Sequence, residues 1–301
     1  MKRGCIVSLL LWAGLTAAFY YFYHGRFPAP ADRYGALAAG FFTALGIGSI
    51  RMAMQAAGDA RRVAAAMSGE TSMAPEDGKT MAAYGPILPL GRPLETPFSK
   101  RQAVVYDYDI THTVQTSDGS NAVKDYAGLA LAACAVSSPY GQIRLLGYPL
   151  LEGFQKEAFQ TEEALENARQ YVAGTHFEEM KGFNPAAIYR SVKDILTEAD
   201  GDLRKDWKIG HVEELDETHG LFEQIVAAGE EVCAIGTYSS SLGGLVPKPS
   251  DGAQVRLVRG RPTEVVQALR KKVVSSIVWG IGITAVANGV IWFILTHQGP
   301  H

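Results

Sequence analysis

The sequence predicts an α+β fold: a mainly antiparallel, β-rich soluble domain with about two helices, flanked by three transmembrane α-helices. Three observations carry this. The apolar segments 5–23, 35–55 and 273–295 are each long enough to cross a bilayer as helices. Between the second and third, runs of alternating polar and apolar residues read as half-buried strands. Two stretches with helix-capping residues and a 3.6-residue apolar period interrupt those strands.

The first segment follows Met1-Lys2-Arg3 and precedes Ala29-Pro30-Ala31, which loosely imitates a signal-peptide cleavage site. Its apolar stretch is longer than a usual signal core, and a second stretch follows within a dozen residues. A transmembrane hairpin over 1–62 is therefore expected. The basic residues flanking the segments are Lys2 and Arg3, then Arg51, Arg61 and Arg62, then Arg270, Lys271 and Lys272. All fall on one side if every segment spans, which places the amino terminus and the soluble block in the cytoplasm. The expected location is a multi-pass integral protein of the bacterial inner membrane. Small residues recur at Ala36, Gly40, Ala44 and Gly48, and at Ser276, Gly280, Thr284 and Asn288. Such stripes let helices approach closely, within one chain or in a homo-oligomer. No acidic or basic side chain lies deep in the spans, which disfavours an ion or proton transporter.

Ala53 to Met67 keeps an Ala-rich helical composition and continues the second helix. Residues 63–80 contain the linker, with Gly69, Pro75 and Gly78 among charged residues. The soluble domain is expected over 81–268, and the last span and a short tail over 269–301. Within the domain, Gln102 to Gln115 alternates, with Val104, Tyr106, Tyr108, Ile110 and Val114 on one face and Asp107, Asp109, Thr111 and Thr113 on a solvated outer face. Further strands are expected at Leu129–Val136, Gln142–Tyr148, Leu221–Val226, Glu231–Tyr238 and Gln254–Val258. Thr161 offers an N-cap to one helix over Ala164–Tyr171, with Glu162 and Glu163 in its first turn. Asn184 and Pro185 start the other, whose stripe is Ile188, Val192, Ile195, Leu196 and Ala199 before Gly201. Ser239 to Gly252 reads as a loop.

Between the membrane segments, 18 Lys/Arg face 28 Asp/Glu although the whole chain carries only −3. An acidic block repels a phosphate backbone, so no nucleic-acid partner is expected, while the basic ends suit an anionic lipid surface. Cys5, Cys134 and Cys233 are too few for a disulfide framework or a four-thiolate zinc site and read as reduced thiols. Phosphate loops, nucleophile elbows, H-E-x-x-H and C-x-x-C are missing. Asp107 and Asp109 could aim together at a substrate or cation, and His112, His176, His211 and His219 stand near carboxylates without metal-ligand spacing. Glu198, Asp200 and Asp202 around Gly201 lack the twelve-residue calcium-loop arrangement. No catalytic, cofactor-binding or metal residue is assigned, and no cofactor is expected.

Two stretches resemble a known family. Gly85-Pro86-Ile87, then Gly91-Arg92-Pro93-Leu94-Glu95-Thr96-Pro97-Phe98-Ser99, is similar to the opening of the GIDE, or "beside a membrane" (BAM), domain. Phe222-Glu223-Gln224-Ile225, Gly229-Glu230-Glu231-Val232 and Ala234-Ile235-Gly236 resemble its closing part. Tyr126-Ala127-Gly128-Leu129 and Gly141 to Gly147 fit its middle strands, so the likeness covers about 80–265. The best-known eukaryotic members are mitochondrial and chloroplast membrane ubiquitin ligases with a RING finger after the second helix. Here the sequence ends five residues after Thr296, and three separated cysteines do not build a two-zinc RING. Ligase activity is not expected. The RING-less architecture looks like prokaryotic members. The resemblance implies a membrane-anchored interaction, sensing or scaffold module whose partner is a protein, peptide or lipid-derived ligand. The alternative is a membrane-bound hydrolase using Asp107, Asp109 or a histidine.

Overall fold

A computed structural model describes residues 3–24, 26, 27, 29–68, 75–116, 119–180, 201–210, 212, 214–247 and 254–297. Four helices lie among them: α1 (Arg3–Tyr23), α2 (Ala31–Ser68), α3 (Glu162–Gly174) and α4 (Pro262–His297). The chain divides into two compact units, 1–61 with 266–301, and 62–265. The architecture is α+β, with two helices, Ala31–Met67 and Pro262–His297, long and apolar enough to cross a membrane. The expected helix beginning at Asn184, and its Ile188, Val192, Ile195, Leu196 and Ala199, lie outside the described residues.

In the first unit, glycines set the approach of the helices. A Cβ on Gly40 would meet the backbone of Thr16 in α1, and one on Gly280 would lie 3.0 Å from the Gly46 carbonyl oxygen. The Gly280, Thr284 and Asn288 stripe therefore packs on α2 within the same chain, where the Asn288 amide donates to Thr43 Oγ1 at 3.2 Å and to the Thr284 carbonyl at 2.7 Å. At the other end Phe27 meets Trp292 and Tyr23 edge-on, at 5.3 and 5.5 Å between centroids.

The second unit carries the strands β1 (Thr80–Pro89), β2 (Leu94–Glu95), β3 (Gln102–Ala103), β4 (Val105–Thr116), β5 (Gly119–Leu131), β6 (Cys134–Ser138), β7 (Gly141–Leu145), β8 (Leu150–Glu152), β9 (Lys156–Phe159), β10 (Glu178–Glu179), β11 (Leu203–Lys208), β12 (Gly220–Val226), β13 (Glu231–Ser239), β14 (Gly244–Val246) and β15 (Arg256–Arg259). All pairings among the described residues are antiparallel except β10–β11, β7–β14 and β8–β15.

One sheet closes on itself. β1 pairs with β6, β6 with β7, β7 with β14, β14 with β13, and β13 returns to β1. β1 makes this possible by changing partner midway, since Thr80 to Pro86 pair with β13 and Ile87 to Pro89 with β6. Gly85 sits at the change with φ +152°, and a Cβ there would collide with the Ser137 carbonyl oxygen, so a side chain is excluded. The interior holds Ala83, Ile87, Val136, Leu145, Val232, Ala234, Leu245 and Leu257, all buried.

The other sheet runs β10-β11-β5-β4-β12-β9. Tyr106, Tyr108 and Ile110 of β4 pack with Leu221 and with Ala164, Leu165 and Ala168 of α3. Thr161 caps α3 as expected, its hydroxyl accepting from the Ala164 amide at 3.2 Å. Val104 and Val105 at the start of β4 belong to the core that also contains the closed sheet's interior, so one apolar body joins the two sheets. Cys134 and Cys233 are free and buried, and burial pushes both thiols up to about 12.

Four expectations change. The expected loop Ser239–Gly252 contains β14, which pairs with β13 and β7 and completes the closed sheet. The run Leu129–Val136 is two strands, because β5 ends at Leu131 and β6 begins at Cys134, in different sheets. An unbroken apolar run conceals such a corner. Val114, expected to be half-buried, lies 37 % exposed on a hairpin extension. The face bearing Asp107 and Asp109 is not a solvated outer face, because segments following β7 cover it.

Candidate functional site

Asp107 and Asp109 stand on one face of β4, opposite Leu129 and Ala127 of β5. Asp109 is only 6 % exposed and lies between two ammonium groups, Lys124 of β5 at 2.8 Å and Lys156 of β9. Asp107 takes a hydrogen bond from the Tyr148 hydroxyl at 3.5 Å. Burial pushes the Asp107 carboxyl up to about 6, with the Asp109 charge adding and the two lysines opposing. No hydrogen bond or ion pair joins a histidine to either carboxylate among the described residues. This face knits β5, β4 and β9 together by charge.

The opposite face holds two buried carboxylates that sequence reasoning missed. Glu223 of β12 is wholly buried, and its Oε1 accepts from the amides of Phe98 at 2.5 Å and Ser99 at 3.4 Å, while its Oε2 accepts from the Ser99 hydroxyl at 2.6 Å. The loop between β2 and β3 is shaped for this role. Lys100 turns it with φ +56°, and Thr96 Oγ1 accepts from the Arg101 amide at 3.1 Å. Asp206 of β11 takes hydrogen bonds from the Tyr108 hydroxyl at 2.6 Å, the Tyr171 hydroxyl at 2.8 Å and Arg204 Nε at 2.8 Å. Burial, with Tyr171 and Asp206 adding, drives the Tyr108 phenol far above its ordinary range. The available signal for Glu223 was a carboxylate inside the apolar strand Leu221–Val226, since a buried charge requires dedicated partners.

The histidines separate into those the fold gathers and those it does not. His112 and His219 converge on Asp125, whose side chain is fully buried. The pairing register slips between Ile110 and Thr111, which sets Asp125 out of step with β4 as an extra residue. His112 Nδ1 lies 2.6 Å from Asp125 Oδ2, and because a carboxylate only accepts, the proton is on that nitrogen. His219 Nδ1 lies 2.8 Å from Asp216 Oδ1, and its Nε2, 4.0 Å from Asp125 Oδ2, has no hydrogen-bond partner, nor has Asp125 Oδ1. Hydrogen bonds from Thr218, then from His219, hold the Asp216 carboxyl down to about 2. The arrangement sets two imidazoles each against a carboxylate, their rings 6.2 Å apart, but no serine, cysteine or lysine is hydrogen-bonded into it among the described residues. No group of three His, Cys, Asp or Glu among the described residues is arranged to hold a metal ion.

His176 is exposed, and His211 lies outside the described residues with Glu198 and Asp200. Asp202 caps the corner between β5 and β6, accepting from the Ala133 amide at 2.8 Å. An open pocket of about 360 Å³ lies beside α3 between Arg169, Val172, Ala173, Glu214 and Leu215.

Comparison of the chain with protein-family models, with curated proteins and with solved structures finds no match.

Proposed function

We propose that this chain is a membrane-anchored interaction or sensing module, a scaffold whose 62–265 unit binds a protein, peptide or lipid-derived ligand near a membrane surface. The observation that carries the reading is the pair α2 and α4. Each is apolar and long enough to span, and they precede and follow the strand-rich unit in the chain. A domain bounded in sequence by two spans meets other proteins of that membrane at raised effective concentration.

In this reading α1 is a third span, and the flanking Lys and Arg residues hold the amino terminus and the strand-rich unit in the cytoplasm of a bacterium. The GIDE-like reading of 81–268 belongs to the same proposal, without ubiquitin-ligase activity. It is supported by the meeting of two of the resembling stretches, with Phe98 and Ser99 of one donating to Glu223 of the other. The convergence of His112 and His219 on Asp125 is what favours the alternative, a membrane-bound hydrolase. The salt-bridged Asp109, and the lack of a serine, cysteine or lysine bonded to that cluster among the described residues, weigh against it.

Mild crosslinking of the full-length protein in its own membrane, followed by identification of co-purified proteins and lipids, tests the choice. A stoichiometric protein partner retained by Asp107→Asn/Asp109→Asn and by His219→Gln is expected. A small molecule held by the parent and lost from either variant would replace the module reading with an enzymatic one.

A further inference from the structure

The β4–β5 hairpin outruns its sheet. β12 accompanies β4 only as far as Thr111, opposite Gly220, and β11 accompanies β5 only as far as Tyr126, opposite Lys208. From His112 to Thr116 β4 pairs with β5 alone among the described residues. The result is a two-stranded arm on which Thr113, Val114, Gln115 and Ser120 to Lys124 are all exposed. Two-stranded ribbons are marginal by themselves, and an uncovered strand edge is a template for another strand.

We propose that this arm docks onto the arm of a second copy of the chain, the two β4 edges pairing antiparallel to make a four-stranded sheet across a two-fold axis. The inference rests on the interaction-module reading above and names its partner. Three features of the arm point to a second copy.

The first is charge. The chain between its apolar ends carries 28 Asp/Glu against 18 Lys/Arg, so two copies repel over most of that surface. From Thr111 to Lys124 the charged residues are one acid, Asp118, and one base, Lys124, so the arm carries no net charge and is the place where copies meet with least repulsion. The second is the missing protection. Natural edges carry proline, lysine or a bulge to prevent pairing. Along the β4 edge, from His112 to Thr116, there is no proline and no lysine, and the hairpin's register shift lies at the root, before the arm begins. The third is the apolar content of one face. His112 stands opposite Val123 and Val114 opposite Asn121, so Val114 and Val123 are diagonal neighbours, 37 % and 40 % exposed. Antiparallel pairing about Val114 brings the two copies of this valine together, and the contact is isologous, as a two-fold dimer requires.

The experiment uses full-length protein in lipid nanodiscs and in native membranes, with the double variant Thr113→Cys/Gln115→Cys, whose cysteines fall opposite each other across the axis, oxidised to report arm-to-arm proximity. The native Cys134 and Cys233 are buried and do not compete, and Cys5 is replaced by serine in every protein compared. A covalent dimer is expected, falling about tenfold or more when Val114→Lys places like charges across the axis. The thermal midpoint of the Val114→Lys variant should stay that of the parent, since the side chain is exposed. A dimer that persists by mass in nanodiscs in Val114→Lys but gives no arm crosslink would overturn the proposal in favour of another surface. A monomer whose arm crosslinks to a different protein would overturn the second copy and keep the module reading. A monomer with no protein partner would sink both.

Discussion

The two halves of the β4–β5 hairpin are built from the same two strands and obey opposite rules. From Val105 to Ile110, β4 is flanked by β5 and β12, and Tyr106, Tyr108 and Ile110 are at most 2 % exposed. Every carboxylate flanking that half, Asp107, Asp109, Asp206 and Glu223, has hydrogen-bond or ion partners. From Thr113 to Gln115 the side chains are exposed, and β5 is the sole strand partner among the described residues. The root between them is where His112, Asp125 and His219 gather. Burial specifies the first half, whereas local pairing alone specifies the second. Such a difference within one hairpin marks the second half as the part free to answer to something outside the chain.

The largest expected effect breaks the buried half. Glu223→Ala leaves the buried Phe98 amide and the half-buried Ser99 amide and hydroxyl without their acceptor and should cost about 3 kcal/mol or more, since each deserted donor costs about 1–3. Glu223→Gln keeps one acceptor oxygen and should cost less. Chemical denaturation of the full-length protein, with Trp12, Trp279 and Trp292 replaced by phenylalanine so that Trp207 alone fluoresces, measures both. Equal losses for the two variants would mean that shape, not hydrogen bonding, matters at this position.

The next effect is at the root. A Cβ on Gly210 would crowd Asp125, 3.0 Å from its Cα and closer to its carboxylate, so Gly210→Ala should cost about 1–3 kcal/mol by overpacking. The His112 ring signals, read by NMR after selective histidine labelling, should shift with it. An unshifted His112 would separate the arm's root from the rest of the sheet.

Asp107 sharpens the comparison through pH. Its folded-state value of about 6 lies above the ordinary 3.8, so the folded chain holds a proton there that the unfolded chain has released. Stability from this group is therefore present below about pH 4, falls as pH rises from about 4 to 6, and is level above that. Asp107→Asn removes the slope and should stabilise the protein by about 1–2 kcal/mol at pH 8, with no gain at pH 4. Thermal midpoints across that range decide it. A loss at pH 8 would show that attraction from Lys156 and Lys124 outweighs burial.

How far these features were legible in the sequence follows the same division. Strands written as apolar runs bounded by Gly, Pro and Ser, such as Leu221–Val226 and Glu231–Tyr238, lie within a residue of β12 and β13. The Thr161 cap carries its own local signal and was equally readable. What escaped depends on distant chain. The covering of Asp107 and Asp109 comes from Tyr148 and Lys156, some forty residues away, and alternation says only that two faces differ, not that one is open. The meeting of His112 with His219 needs β12 beside β4 and a register shift, and neither leaves a mark in local spacing. The part of β5 before Asp125 was missed because its Ser, Asn and Lys residues carry no apolar period, which is itself the sign of a strand that buries nothing.

The smallest expected effect is the most discriminating. Val105 and Val114 lie on the same strand and have the same side chain, at 0 % and 37 % exposure. Removing two methyl groups from the first takes away buried apolar area and leaves a cavity in the core shared by both sheets, so Val105→Ala should cost about 2 kcal/mol. Val114→Thr keeps the β-branched shape and the strand preference while removing apolar character, and should change stability by less than about 0.5 kcal/mol. Measured in nanodiscs diluted to one chain each, the second value isolates the arm's contribution to its own fold. If Val114→Thr approaches the cost of Val105→Ala there, the arm is packed within the chain and is no free edge. If it costs nothing alone but weakens association when copies share a membrane, that valine contributes between chains and not within one.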